Sequence, residues 1–380
     1  MKSISHVNPR WAAPVIALGL VAATTVVPNL LGSANASPPP LPPLTPAELL
    51  VKVRTAQVTA LSGTIMLTSN LGLPSLDSLG ALGGGGSATS ITSLLAGEHS
   101  AQIWIDGPEH VRVAAQAPLA ETNWIRNGSD IWSYDSSTLT TTHVALSGHT
   151  SADATDAAGT GDSILDPVHD TPLEFAQSLL DKVTPSTGVT MTDNRMVAGR
   201  AVYQLVLTPN DATSTIQDVT FAVDAATGLP LDVQVTAKSS GSTAIEVGFT
   251  SIDFAAPSAS TFEFTPPPDS KVVEAKNPTD LLSAGADHHD HESGPNGPDL
   301  HGLGKLTTLG SNWTTVAVIA GSSVASQLRS FLSSAPQVTV GGASAHLVTT
   351  ALFNVLVFDD GRIAVGAVEP DALETLVANA

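Results

Sequence analysis

Apolar and polar side chains alternate along much of this chain, the period-two pattern of strands that bury one face. Val219, Phe221 and Val223 interleave with Asp218, Thr220 and Asp224. Leu231, Val233 and Val235 interleave with Asp232, Gln234 and Thr236, and Ile245, Val247 and Phe249 repeat the pattern. Strands are predicted over Ser62–Asn70, Ala101–Asp106, Glu109–Gln116, Leu139–Leu146, Val189–Thr192 and Met196–Thr208. Further strands follow over Ile216–Asp224, Leu229–Ala237, Ala244–Phe254 and Phe262–Thr265. With the hairpin described next, they make one antiparallel sheet of roughly eleven strands with a single apolar face.

Glu121–Asp135 reads as a β-hairpin turned at Asn127-Gly128 or Gly128-Ser129, where glycine supplies the positive φ that a two-residue loop needs. Either loop puts Ile125, Trp132 and Tyr134 on one face, and Trp124 and Ile131 on the other. A three-residue loop would regroup them. Two of the five Trp and one of the two Tyr of the chain lie here. Asp224-Ala-Ala-Thr-Gly228-Leu-Pro230 reads as a second turn.

Helical spacing is confined to a few places. Thr45-Pro46-Ala47-Glu48 is a capping box with Pro at the first helical position. Leu49, Leu50, Val53 and Gln57 follow on one side, ending near Thr59. Thr171-Pro172-Leu173-Glu174 opens a second such helix, lined by Phe175, Leu179, Leu180 and Val183. Between the first two strands, residues 71–98 string leucines around Gly83–Gly86. They read either as a flexible loop or as an apolar flap over a cavity mouth.

Two helices are too few to cover so long an apolar face. The expected fold is therefore mainly β, of α+β type: a curved, unclosed antiparallel half-barrel with two lid helices. Its concavity would hold an acyl chain or lipid. Parity offers Ile65, Leu67, Ile103, Ile105, Ile125, Trp132, Tyr134, Phe221, Val233 and Phe249 as cavity residues. A closed, fully packed barrel without ligand is the alternative.

Residues 305–380 read as a small carboxy-terminal α+β domain. Trp313–Ala320 is a strand and Ser322–Ser333 a helix. Leu347–Phe358 and Ile363–Val368 form a hairpin around Asp359-Asp360-Gly361, and Pro370–Ala378 is a closing helix. The remaining segments are a signal peptide (1–36), a Pro-rich spacer (37–44) and a linker (269–304), which bound a main domain at 45–268. Lys2 and Arg10 precede an apolar run that ends at Ala34-Asn35-Ala36, a cleavage pattern. An uncleaved amino-terminal membrane anchor is the alternative.

Composition narrows the chemistry. A net charge of −20 over 380 residues disfavours nucleic acid and anionic lipid headgroups. The absence of Cys removes disulfides, thiolate metal sites and acylation at a lipoprotein box. No G-x-S-x-G, H-E-x-x-H or Walker A pattern is present, so no enzyme and no cofactor is expected. Asp166, His169 and Asp170 precede a helix start, where Asp is expected as a cap. Asp287-His288-His289-Asp290-His291-Glu292 could hold a metal ion, but the tract is contiguous and Gly/Pro-flanked, and a solvated linker is the reading taken.

The order of these features resembles the LolA-like superfamily of lipoprotein carriers, in its actinobacterial branch, over roughly 45–268. The resemblance rests on Gly128, Asp130, Trp132, Tyr134 and Asp135, followed by the Asp224–Pro230 turn. It implies non-catalytic binding of acyl chains, with a lipid or acylated lipoprotein as partner. Many relatives are anchored through a Cys that this chain lacks. Gly366, Val368, Pro370 and Ala372 resemble the end of RseB/MucB. That implies a second reading: a regulator that binds an anti-sigma factor or another membrane-anchored protein.

Overall fold

A computed structural model describes residues 40–72, 96–117, 120–146, 185–275, 305–320, 332 and 335–380. The expected signal, the leucine-rich stretch from residue 73, the second lid helix, the helix within 322–333 and the His/Asp tract lie outside them. So does the Asp166–Asp170 group. Helix α1 (Pro46–Arg54) opens the described chain. Six strands follow: β1 (Ala60–Asn70), β2 (Ala96–Asp106), β3 (His110–Ala117), β4 (Ala120–Asn127), β5 (Asp130–Asp135) and β6 (Thr140–Ala145). Then come β7 (Thr187–Val197), β8 (Arg200–Pro209), β9 (Ile216–Asp224), β10 (Pro230–Ala237), β11 (Thr243–Asp253) and β12 (Lys271–Glu274).

These form one twelve-stranded sheet in the order β12-β6-β5-β4-β3-β2-β1-β11-β10-β9-β8-β7. Its two end strands do not pair, so the sheet is unclosed. All pairs are antiparallel except β12 with β6. Two consecutive meanders, β1–β6 and β7–β11, meet along β1 and β11. The sheet is strongly curved. Arg195 on β7 reaches the carboxylate of Asp232 on β10, and β7 also touches β11. In a flat sheet three strand spacings would separate β7 from β10 by about 14 Å. An arginine cannot bridge that distance, so this end is rolled. The roll buries Asp232, and burial pushes its carboxyl up to about 6, against Arg195.

Two predicted strands and one predicted linker segment are corrected. Met196–Thr208 is split by a hairpin turn at Ala198-Gly199, with φ of 49° and 75°. A non-glycine at positive φ gives no sequence signal of a turn. Phe262–Thr265 is no strand: Ala259–Phe262 is a single 3-10 turn. Lys271–Glu274, expected in the linker, is strand β12. The first helix also ends sooner than expected, with Thr55 as its C-cap.

Helix α1 begins as its capping box dictates: Thr45 Oγ1 accepts from the Glu48 amide, and the Glu48 carboxylate accepts from the Thr45 amide at 2.8 Å. It packs Leu49, fully buried, against Tyr203, Leu205 and Val223. The Tyr203 hydroxyl donates to the Pro42 carbonyl at 3.0 Å, which ties down the end of the Pro-rich spacer. The Asp224–Pro230 turn supports the helix from below. Asp224, 1% exposed, accepts from Arg200 Nε at 2.7 Å and from the Thr227 amide and hydroxyl, each at 2.7 Å. Burial pushes its carboxyl up, but the Arg200 and Thr227 hydrogen bonds outweigh it and hold the group below the ordinary 3.8.

The second sheet contains β13 (Lys305–Leu309), β14 (Val316–Ala320), β15 (Gln337–Val340), β16 (Ala343–Thr349), β17 (Asn354–Phe358) and β18 (Ile363–Gly366). Their order is β13-β14-β18-β17-β16-β15, and α2 (Pro370–Ala378) lies on it through Leu373 and Val377. The predicted Leu347–Phe358 strand is two strands, broken at Thr350–Phe353, where the Thr350 hydroxyl donates to the Phe353 carbonyl. Backbone bonds stitch this sheet to the large one. Glu369 donates to Thr213 at 2.7 Å, Thr215 to Ala367 at 3.1 Å and Ala351 to Leu71 at 2.8 Å. Leu352, Leu71, Ala237 and Ala244 close the junction as a buried apolar plug.

Two glycines separate backbone strain from packing. A Cβ on Gly128 (φ +63°) meets nothing within 4 Å, whereas one on Gly228 (φ +79°) would lie 2.6 Å from the Lys52 carbonyl of α1. Gly128→Ala should cost about 1 kcal/mol, and Gly228→Ala about 2–4 kcal/mol. Denaturant midpoints would check this, and equal losses would refute the packing of this turn on α1.

Candidate ligand-binding face

The β1–β11 seam sets the site. Ile65 stands opposite Phe249 and Leu67 opposite Val247. Val247 continues across the sheet to Val233, and Val233 to Phe221. In the other direction, Ile103 and Ile105 on β2 stand opposite Gly63 and Leu61. Seven of the ten expected residues therefore share one face: Ile65, Leu67, Ile103, Ile105, Phe221, Val233 and Phe249. By register, that face carries no Asp, Glu, Lys or Arg along β1–β3 and β8–β11. Ile65, Ile103 and Ile105 are buried, while the other four are partly buried. Gly63 makes room for Phe249, whose ring lies 3.0 Å from where a Cβ would stand. Helix α1 covers the face at β8 and β9.

Sequence reasoning missed part of this face. Tyr203 and Leu205 belong to it, opposite Val223 and Phe221, and Ile252 enters opposite Gly63. The alternation in Tyr203, Leu205 and Leu207 was readable, but the unsplit Met196–Thr208 run gave it no strand partner.

Ile125, Trp132 and Tyr134 are a correction. The two-residue turn does group them, with Ile125 opposite Trp132. However, Ile125 also stands opposite Arg112, while Trp124 stands opposite Val113 of the apolar face. The trio therefore lies on the opposite face from the other seven. That face is occupied by the chain itself. After β11 the segment from Phe254 to Ala275 crosses β3, β4 and β5 as a strap. Phe262, 1% exposed, sits 5.6 Å from His110. Phe264 sits 5.6 Å from Trp132 and 6.3 Å from Tyr134. Arg112 donates to the Thr261 carbonyl at 3.1 Å and lies over the Trp104 ring. The Thr141 hydroxyl then donates to Ser270 at 3.0 Å, and β12 joins β6.

A concavity of about 270 Å³ lies between the sheets, lined by Ser186, Asn210, Asp211, Asn312 and Trp313 among others. It is small and polar, the wrong chemistry for an acyl chain. Among the described residues no His/Asp/Glu group has the arrangement of a metal site, and no helix is long and apolar enough to cross a membrane.

No family model and no curated protein matches the sequence. Among solved structures, the chain is similar to the MucA/MucB complex of Pseudomonas aeruginosa, at 17% identity over 87% of this chain and 95% of that one, with a TM-score of 0.38. It is similar to a LolA-superfamily protein of Nitrosomonas europaea, at 12% identity over 58% of this chain and 99% of that one, TM-score 0.21. A lipoprotein-sorting protein domain from Vibrio parahaemolyticus, described as putative in its own right, gives 10% identity over 57% and 97%, TM-score 0.21. These are the groups that the sequence resembles. With TM-scores below 0.5, the likenesses carry none of the functional argument.

The strap is testable by truncation. Phe262→Ala should cost about 3–5 kcal/mol in denaturant unfolding. Phe264→Ala, which removes a ring from the half-buried Trp132, should cost less and shift Trp132 emission to the red. A Phe262→Ala loss below about 1 kcal/mol would mean that the strap is not anchored there.

Proposed function

We propose that this chain is an exported, non-catalytic carrier or sensor that takes the acyl chain of a lipid or lipoprotein on the uncharged face of its large sheet. The observation that carries this reading is the run of apolar side chains across seven strands with no Asp, Glu, Lys or Arg among them, His99 opposite Leu67 being a histidine at its edge. Each methylene moved from water onto such a face contributes about 0.8 kcal/mol. A fatty acyl chain thus offers on the order of 10 kcal/mol before the cost of association. A charged headgroup would remain outside, in keeping with a face that offers it no counter-charge.

The experiment is native mass spectrometry of the protein from residue 37 onward, purified from its own host. A reproducible mass excess that extracts as lipid is expected. A bare mass, with no uptake of added lipid or acylated peptide, would overturn the carrier reading. The two faces also make opposite predictions. Val233→Asp, on the same face but off the β1–β11 seam, should abolish lipid uptake while the fold persists, whereas Trp132→Ala should leave uptake within about twofold, because Trp132 faces the strap. Loss of uptake in Trp132→Ala alone would return that residue to the binding site.

A second reading, a regulator that binds a membrane-anchored protein through residues 305–380, is favoured by one observation. The smaller sheet ends at β13, an edge strand whose Leu306 is 57% exposed. Leu306→Asp should then weaken capture of that protein without changing lipid uptake.

A further inference from the structure

Strand β12 is held to the sheet by a short backbone ladder and one side-chain link. It has four residues and, among the described residues, is the single parallel strand of the large sheet. Lys271, Val272 and Glu274 are exposed, Val272 to 49%. Its ends are fixed by the Lys271 amide on the Leu139 carbonyl and the Ala275 amide on the His143 carbonyl, both at 2.8 Å. Leu139 itself holds a φ of 51°, an uncommon conformation for a non-glycine.

The side-chain link is His143. Its Nδ1 lies 2.9 Å from Glu274 of β12, and its Nε2 lies 2.9 Å from Asp130 of β5. The ring stacks on Trp132 at 3.9 Å, tilted by 19°. Both ring nitrogens thus face carboxylates. A charged imidazolium donates to both. A neutral imidazole has one N–H, so it must turn a lone pair toward one of the two. Asp130 is built into β5, whereas Glu274 is 71% exposed on the strand that can leave. Among the described residues, the titratable groups that face His143 are therefore Asp130 and Glu274. Its own strand offers Thr141 and Ala145 on that side, β5 adds the Trp132 ring, and the strap adds Phe264 on Trp132.

We infer that β12 is a releasable edge strand, latched to β6 by charged His143 between Asp130 and Glu274, and freed as His143 loses its proton. Burial works against the charged ring, but the two carboxylates outweigh it, and the group titrates above the ordinary 6.5. A folded-state value above the unfolded one fixes the sign. The latch is complete below 6.5, while the carboxylates stay ionised, and is lost as pH rises through the raised value. Release would leave the β6 edge, now covered, with unpaired backbone groups.

Hydrogen exchange of the full-length protein tests this, read by mass spectrometry on peptides spanning 269–276 and corrected for the intrinsic rate at each pH. Protection of that segment should fall roughly two- to fivefold as pH rises through the His143 titration, the range expected for a partly exposed ion pair. The β4–β5 hairpin should show no such step. His143→Gln should remove the step and hold the segment at the lower protection at every pH. Glu274→Gln, at an exposed position that folding tolerates, should lower the His143 titration midpoint read by NMR. Protection independent of pH in the parent protein, a step that persists in His143→Gln, or an unmoved midpoint in Glu274→Gln would each overturn the latch. None of these readouts depends on lipid, so failure here is separate from failure of the carrier reading.

Discussion

The pairing of β1 with β11 is the contact on which the rest of the molecule depends. It joins two meanders that are otherwise linked within the large sheet by the short β12 on β6, and it does so between residues about 185 apart in sequence, as Ile65 with Phe249. Closing so long a loop costs entropy that local turns do not. What returns that cost is the match of apolar faces at the seam. Ile65 meets Phe249, Leu67 meets Val247, and Gly63 leaves space for the Phe249 ring. A slip of one residue would set Ile65 on the face of Thr64 and Met66, and the two halves would no longer share a face. The bulge at Thr64/Ile65 is part of the same fit. It takes up the extra residue of β11, so that Ile252 and Phe249 both project to the apolar side.

From that seam the two faces of the sheet acquire different tasks. One is apolar and uncharged over most of its width, covered by α1 at β8 and β9. The other carries Arg112, Asn123, His143 and the rings of Trp104, Trp132 and Tyr134, and receives the strap. A sheet with rings on both sides would expose large apolar area if either side were left bare. The chain deals with the second side itself, by folding Phe262 and Phe264 back over β3–β5. Apolar capacity for a foreign ligand is thereby concentrated on the first face.

How much of this was legible in the sequence depended on the range of each signal. Alternation identified β9, β10 and β11 and the seven residues of the apolar face, because parity within a strand is local. The turn at Gly128 correctly grouped Ile125 with Trp132, since a two-residue loop fixes register across a hairpin. Which face that hairpin turned to the sheet was not local. It required the β3–β4 register that puts Val113 opposite Trp124, and no residue pattern encodes the loop between those strands strongly enough to give it. Strand β12 was hidden for another reason. Lys-Val-Val-Glu is too short to show a period, and it follows a Pro-Pro-Pro stretch that reads as linker. The closing helix α2 was plain because Pro370 marks its first turn and Leu373 and Val377 recur on one side.

The strap also settles how the sheet ends. Twelve strands that do not close must finish in two edges, and exposed edges invite unwanted pairing. At β7 the answer is the roll, with Arg195 drawn over to Asp232. At β6 the answer is a short strand with Lys271 and Glu274 exposed, a charged cover on an otherwise open edge. The two solutions differ in strength. The roll buries the Asp232 carboxylate against Arg195, so losing that pair with the roll still closed would leave charge unpaired in a dry site. The cover at β6 rests on one stacked histidine and two surface-facing carboxylates, with few backbone bonds behind them. Local opening follows the least buried contacts first. The β6 edge is therefore where this sheet yields while the apolar face and the seam remain intact.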